Sequence, residues 1–462
     1  MTGPGGPTHL HDLPIVDRMR ELDVPGVSVA IIEGGEVVDQ AEYGVRAAGA
    51  DSPVTPTTRF QACSISKPVT SLAMLRLVDQ GELDLDADIN DRLVAWRVPP
   101  NGSWQPRVTL RQLASHSAGL TTHGFPGYPR DAPLPSLVEV LTGTAPANTQ
   151  GVRVDQLPGT QFRYSGGGTL VMQLLLEEAT GRALPDLVRE LVLDPLGMEH
   201  STFEQPLPTS LHDEAAAAHT SAGRQVHGGW HVYPEQAAAG LWSTPGDLAR
   251  YAIALQRAAA GVRGSLVSVE TATQILTPQT PPAGRAERTG GLHAVGLGPF
   301  VRWVNGETAY FGHSGSNEGF RCQLLAHRRG GFGAVVMTNG DGAMPLIAEA
   351  FDAIAAARGW QDYVSEPDGE PALRGAELDR FAGRYQLASG TPVVVTRDGD
   401  RLDVVVGAQP SLAFTVNDGT TIGTEFASST ISLDDEGLII HQGGADLPCR
   451  RVDEGGPDGH PA

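Results

Sequence analysis

A serine and a lysine stand three residues apart in the segment Phe60-Gln61-Ala62-Cys63-Ser64-Ile65-Ser66-Lys67-Pro68. Of the 33 Lys and Arg residues in this 462-residue chain, Lys67 is the only lysine. Arginine is a permanent cation, whereas a lysine amine can give up its proton and take one from a neighbour. The pair therefore points to a proton-handling amine beside a hydroxyl, the arrangement that turns a serine into a nucleophile. Cys63 reads as a small packed residue rather than a second nucleophile.

The element that positions the pair is a helix. From Lys67 to Gln80 the chain carries Val69, Leu72, Ala73, Met74, Leu75, Leu77 and Val78, apolar on nearly every face, which predicts a helix buried all round that ends at Gly81. Pro68 is tolerated only near a first turn, so Ser64 and Lys67 are expected in that turn, on one face. There the helix dipole and partial desolvation both disfavour an ammonium.

Around this helix the periodicity predicts a hairpin from Gly26 to Ile32 and Val37 to Val45, turning at Glu33-Gly34-Gly35-Glu36. Helices are predicted at Leu110 to His116, Leu137 to Leu141, Leu170 to Ala179, Leu184 to Leu193 and Pro245 to Ala259, the last capped by Thr244. Three late strands follow, Val295 to Val304, Gly319 to His327 and Gly331 to Thr338, and then a helix from Leu346 to Ala357. The order implies an α+β fold, one antiparallel sheet with helices packed against it. A polar Pro/Gly-rich stretch at 362–375 reads as a linker. Beyond it, short runs at Val393 to Thr396, Leu402 to Val406, Leu412 to Val416, Thr430 to Leu433 and Leu438 to His441 imply a small all-β barrel or sandwich. The expected organisation is a flexible N-terminus at 1–12, a main domain at 13–361, the linker, a barrel at 376–455 and a tail at 456–462.

Composition narrows the partners. A formal charge of −21 argues against nucleic acid or an anionic membrane, since both require basic patches. Cys63, Cys322 and Cys449 are odd in number and far apart, which suits free thiols of a reducing compartment. The N-terminal stretch lacks a basic region followed by an apolar one, and no run approaches the roughly 18 apolar residues of a membrane span, so a cytoplasmic location is expected.

Three motifs then occur in order: Ser64-Ile65-Ser66-Lys67, Tyr164-Ser165-Gly166 and His313-Ser314-Gly315. With the flanking segments Leu113 to Leu120, Phe162 to Gly168 and Gly312 to Phe320, they resemble the SxxK, YxN and [KH]-[TS]-G motifs of penicillin-recognising serine enzymes, which include class C β-lactamases, D-aminopeptidases and related esterases. The likeness spans about residues 12 to 360. It implies a beta-lactamase/transpeptidase-like fold in which Ser64 attacks a carbonyl and forms an acyl-enzyme, Lys67 and Tyr164 share its proton, and the backbone N–H groups of Ser64 and Ser316 form the oxyanion hole. It also implies that His313 lines the wall opposite Ser64, with Gly312 and Gly315 allowing substrate to approach. Two departures stand out: Gly166 replaces an asparagine that helps hold substrate in many relatives, and His313 replaces the lysine with which most β-lactamases hold a carboxylate. No cofactor is implied.

Other candidates carry competing readings. His227-Gly-Gly-Trp-His231 has metal-like spacing but reads as a loop, with no metal expected. The glycine run after Tyr164 reads as a turn open to substrate. Trp230, Tyr233 and Trp242 read either as an aromatic pocket wall or as ordinary packing. Arg450 and Arg451 read either as a fork for a peptide carboxylate or as a solvated pair. Small lipocalin-like barrels of this kind occur in D-aminopeptidase-like hydrolases and in stand-alone penicillin-binding-type thioesterases, which release and cyclise nonribosomal peptides from carrier proteins. The resemblance thus implies a hydrolase of amide or ester bonds in a small peptide-like substrate, with D-residue selectivity a further implication. The alternatives are a peptide cyclase or acyltransferase served by a peptidyl carrier protein, and, more distantly, a non-catalytic sensor or scaffold.

Overall fold

The computed structural model describes residues 15–279, 291–365, 376–399, 401–407, 411–416, 422–423, 429–434, 437–442 and 445–452. The chain divides into two compact units, Met1–Glu366 and Pro367–Ala462.

The first unit is built on a seven-stranded antiparallel sheet. Its strands are β1 (Gly26–Glu33), β2 (Glu36–Gly44), β5 (Ala294–Val295), β6 (Phe300–Val304), β7 (Glu307–Asn317), β8 (Phe320–His327) and β9 (Gly333–Thr338), in the order β2-β1-β9-β8-β7-β6-β5. A two-stranded ribbon pairs β3 (Phe60–Gln61) with β4 (Trp242–Ser243). The β1–β2 hairpin turns where the sequence predicts, with Gly34 and Gly35 both at positive φ. Strand β1 is buried on both faces: Val27, Val29 and Ile31 join the helices Ile15–Glu21 and Met344–Arg358, while Ala30 and Ile32 join the larger helical layer. That larger layer contains helix Ser66–Asp79, buried on nearly all sides as its composition predicts.

Three expectations are corrected. The sheet holds β7, a strand the periodicity does not reveal because Gly312, Ser314, Gly315 and Ser316 interrupt its apolar pattern. The region predicted as one strand, Val295 to Val304, is instead two short strands, β5 and β6. The glycine run after Tyr164 is no turn, since Gly166–Thr180 is a helix from its first glycine, capped by Ser165, whose Oγ accepts from the Gly168 N–H at 2.9 Å.

The second unit is a closed antiparallel barrel. Its strands run β10 (Gly383–Leu387), β11 (Pro392–Asp398), β12 (Arg401–Val406), β13 (Leu412–Val416), β14 (Ile422–Gly423), β15 (Ser429–Leu433), β16 (Gly437–Gln442) and β17 (Ala445–Arg451), with β10 pairing β17 to close the ring. Alternate residues such as Val393, Val395, Leu402 and Val404 fill its interior. Of the eight strands, β10, β14 and β17 escape the sequence pattern. The N-terminus expected at 1–12, most of the linker at 362–375 and the tail at 456–462 lie outside the described residues.

Candidate active site

Ser64 lies in a one-turn 3-10 segment, Cys63–Ile65, that leads into helix Ser66–Asp79, one step before the first helical turn predicted for it. Cys63 turns the chain with φ 52°, a left-handed conformation that costs a non-glycine residue roughly 1–3 kcal/mol and persists only where its surroundings enforce it. They do so here. Ala62 N–H donates to the Leu241 carbonyl at 2.8 Å, Ser66 Oγ donates to the Cys63 carbonyl at 2.5 Å, and the same Oγ accepts from Leu241 N–H at 3.0 Å. One helical turn on, Lys67 is buried and its Nζ donates to Ser64 Oγ at 2.9 Å and to the Ala238 carbonyl at 2.8 Å. The serine and the lone lysine therefore share a face and touch, as their spacing predicts.

The Ala238 carbonyl comes from the short helix Gln236–Ala239, which is preceded by Glu235. Glu235 is fully buried, neither carboxyl oxygen has a hydrogen-bond partner among the described residues, and desolvation pushes its pKa up to about 8. Nothing in the sequence around Glu235 marks it for a role.

Tyr164 comes to the same place from the other side. Lys67 Nζ stands 5.0 Å from the centre of its ring. Three histidines surround that ring: His116 at 4.3 Å, His123 at 4.8 Å and His313 at 6.1 Å between ring centres, with Phe300 stacked at 6.2 Å. His116 is held well below its ordinary pKa, first by burial and then by the charge of Lys67 and by His313 and His123. His313 is pushed down to about 3, again by burial first and Lys67 second. Its Nδ1 lies 2.5 Å from the Ser314 carbonyl, which can only accept, so Nδ1 carries the proton and Nε2 is left as a lone-pair acceptor. The His313 imidazole is thus neutral.

His313 and Ser316 lie on β7. Strand β6 stops opposite Gly312, and beyond that point β7 runs between β8 and the nucleophile's turn. Gly315 allows this approach: a methyl group there would meet Cys322 Sγ, stand 2.7 Å from the Ala62 carbonyl and 2.9 Å from Cys63 Cβ. A methyl on Gly312 would strike the Leu324 carbonyl of β8. Both glycines admit neighbouring protein rather than substrate, which corrects the sequence expectation. Asn317 finishes the brace by donating to Gln61 Oε1 at 2.7 Å and to the Ala239 carbonyl at 3.1 Å.

Gly166 is buried as well. A Cβ on it would stand 2.8 Å from the Phe125 ring and 3.0 Å from the His123 carbonyl, so the space an asparagine side chain would need is filled by the 121–125 loop. Trp242 has no exposure and packs edge-on against Trp230 and Phe320, which places the indoles in the core instead of a pocket wall. His227 and His231 turn to different partners, Asp131 and the Pro126 carbonyl, and among the described residues no cluster of His, Cys, Asp and Glu is arranged to hold a metal. In the barrel, Arg451 donates to the Ala382 carbonyl at 2.6 Å and lies over the Tyr385 ring at 5.4 Å, while Arg450 is exposed on the same strand. Among the described residues no helix is long and apolar enough to cross a membrane.

The arrangement can pass a proton between a serine hydroxyl and an amine inside a largely buried site, with a phenol at the amine's other side. The sequence reading missed His116, His123 and Phe300. His116 lies within a segment that carries the resemblance, yet nothing local says that it meets a residue 49 positions along the chain.

Comparison with known proteins gives a consistent picture. The family model described as Beta-lactamase matches residues 15–358. The chain is 26% identical over 403 residues to Penicillin-binding protein 4 of Amycolatopsis lactamdurans, covering 83% of this chain and 99% of that one. The chain spans less than half the length of several other curated relatives that it matches. Among solved structures, the octameric penicillin-binding protein homologue from Pyrococcus abyssi superposes with a TM-score of 0.62 at 24% identity, covering 94% of this chain and 98% of that one. SurE with D-Leu superposes with a TM-score of 0.60 at 22% identity, covering 95% and 97%.

Proposed function

The chain belongs to the beta-lactamase family, and from that premise we propose that it is a serine acyl-enzyme hydrolase acting on amide or ester bonds of small peptide-like substrates. The observation that carries this reading is the 2.9 Å hydrogen bond from Lys67 Nζ to Ser64 Oγ, beside the Tyr164 ring. Ser64 Oγ attacks the carbonyl carbon while its proton moves to the Lys67–Tyr164 pair. The oxyanion forms against the backbone N–H groups of Ser64 and Ser316, and the leaving amine or alkoxide takes the proton back. Water, activated by the same pair, releases the acyl group. Because His313 is neutral, it offers a substrate carboxylate no cation at the position where most β-lactamases carry a lysine. This favours esters, amides and peptides, D-residue substrates among them, over the carboxylate-bearing β-lactams.

A second reading, in which an amine of the substrate rather than water resolves the acyl-enzyme, takes its support from the closed barrel of the second unit, the addition that the sequence resemblance links to penicillin-binding-type thioesterases. A peptidyl carrier thioester would then be the acyl donor.

Intact-mass spectrometry separates these readings. A fluorophosphonate is expected to add once, at Ser64, and the Ser64→Ala variant to stay unmodified. A D-residue peptidyl thioester then yields linear acid if water resolves the intermediate and cyclic peptide if an amine does. Absence of any Ser64 adduct and of any turnover would leave only the scaffold reading.

A further inference from the structure

His116 holds both chain neighbours of Tyr164. Its backbone carbonyl accepts from Arg163 N–H at 2.8 Å, and its ring Nδ1 accepts from Ser165 N–H at 3.2 Å. Its ring lies on the Tyr164 ring, 4.3 Å between centres and 35° from parallel, and the Phe162 ring stands edge-on to it at 6.2 Å. His116 is 3% exposed and has φ 52°, an uncommon conformation for a residue with a β-carbon. On the far side, Ser165 caps helix Gly166–Thr180 and its Oγ donates to the Thr121 carbonyl at 2.8 Å, so the clamp is fastened to a rigid element.

We propose that His116 is the positioning residue of the site: by fixing the peptide groups on both sides of Tyr164 and stacking on its ring, it sets the phenol against Lys67 for proton transfer. This rests on the reading that Tyr164 handles the proton of Ser64. The role has a chemical requirement. An imidazole nitrogen accepts only when it carries no hydrogen, so with Nδ1 accepting from Ser165 the ring must be neutral and its proton must sit on Nε2. Protonation would set N–H against N–H and push the Ser165 peptide away, carrying Tyr164 with it. The groups facing the ring, Lys67, His313 and His123, all act against that protonation.

The test uses the full chain and p-nitrophenyl acetate, comparing the variants H116F, H116N, Y164F and H116F/Y164F with the wild type. Phenylalanine keeps a ring but loses the acceptor; asparagine tolerates the left-handed backbone and returns an acceptor oxygen. A misplaced catalytic group typically costs about 10 to 100-fold, so H116F is expected to lower kcat by about that factor while KM changes by less than about twofold. H116N should recover part of the loss. The double variant should be no slower than Y164F, because a positioning effect vanishes once its target is gone. The pH dependence of kcat should shift in H116F, and thermal unfolding checks that each variant folds. Full kcat in H116F, or losses that add in the double variant, would overturn the proposal. If H116F does not fold, the same additivity test with H116N decides. Undiminished turnover by Y164F would instead overturn the proton-handling role of Tyr164 itself, and no p-nitrophenol release by the wild type would overturn the hydrolase reading.

Discussion

Gly315 and Cys322 face each other across two neighbouring strands so closely that the space for a single methyl group on Gly315 is already taken by the Cys322 sulfur. The Ala62 carbonyl at 2.7 Å closes the same space from the nucleophile's side. The Gly315→Ala substitution therefore has to push β7 away from the turn that bears Ser64, and with it the Ser316 N–H. A drop in kcat of about 100-fold is expected, the size of a lost oxyanion donor, together with a lower melting temperature. Adding Cys322→Ala should restore stability more than activity, because the clash with the Ala62 carbonyl remains. Wild-type kinetics in Gly315→Ala would show that the approach of the two elements is irrelevant to turnover.

Lys67→Arg should leave the molecule charged and inactive. Arginine keeps the cation but cannot release its proton, and its planar fork cannot reproduce the two donations to Ser64 Oγ and the Ala238 carbonyl. Loss of a general base typically costs about 100 to 10,000-fold, to be read as acylation rate by stopped-flow release of p-nitrophenol. An arginine variant that acylates at the native rate would refute the role of the amine.

Gly166→Asn tests whether the relatives' asparagine can be put back. Its Cβ would stand 2.8 Å from the Phe125 ring and 3.0 Å from the His123 carbonyl. Overpacking of this kind costs about 1–3 kcal/mol, so the variant should unfold at lower denaturant and gain no penicillin turnover. Equal stability accompanied by new β-lactam hydrolysis would mean that the 121–125 loop yields freely.

Stability should depend on pH in two opposed ways. His116 and His313 have folded pKa values depressed below that of an unfolded histidine, His313 to about 3, so below pH 6.5 the unfolded chain binds protons that the fold refuses. Their contribution is complete above pH 6.5 and falls with acidification, by up to about 1.4 kcal/mol per pH unit for each group. Glu235 acts in the other direction. Its pKa rises to about 8 in the fold, so stability attributable to it is complete below pH 4.5 and falls as pH rises toward 8. Urea unfolding of wild type and Glu235→Gln from pH 4.5 to 8.5 should show the variant gaining relative stability steadily up to about pH 8 and no further. A difference that does not change with pH would mean that Glu235 is ionised in its buried place.

Local information sufficed wherever a property depends on neighbours in the chain. The contact of Ser64 with Lys67, the all-round burial of helix Ser66–Asp79, the Thr244 cap on Pro245–Ala259 and the β1–β2 hairpin all follow from spacing, capping and period, which act over a few residues. The composition also marked out Lys67 before any contact was visible. Other features came from distant segments meeting. Strand β7 is a strand because β8 and the nucleophile's turn need its glycines, although its own residues break the apolar alternation. Gly166 opens a helix against Phe125, Trp242 joins the core, and His116 reaches Tyr164 across 49 residues of chain to its anchor at Ser165. Close packing sets these outcomes: whether a small residue admits substrate or protein, and whether an imidazole stays neutral, depends on what fills the adjacent volume, and that volume is supplied by parts of the chain far away in sequence.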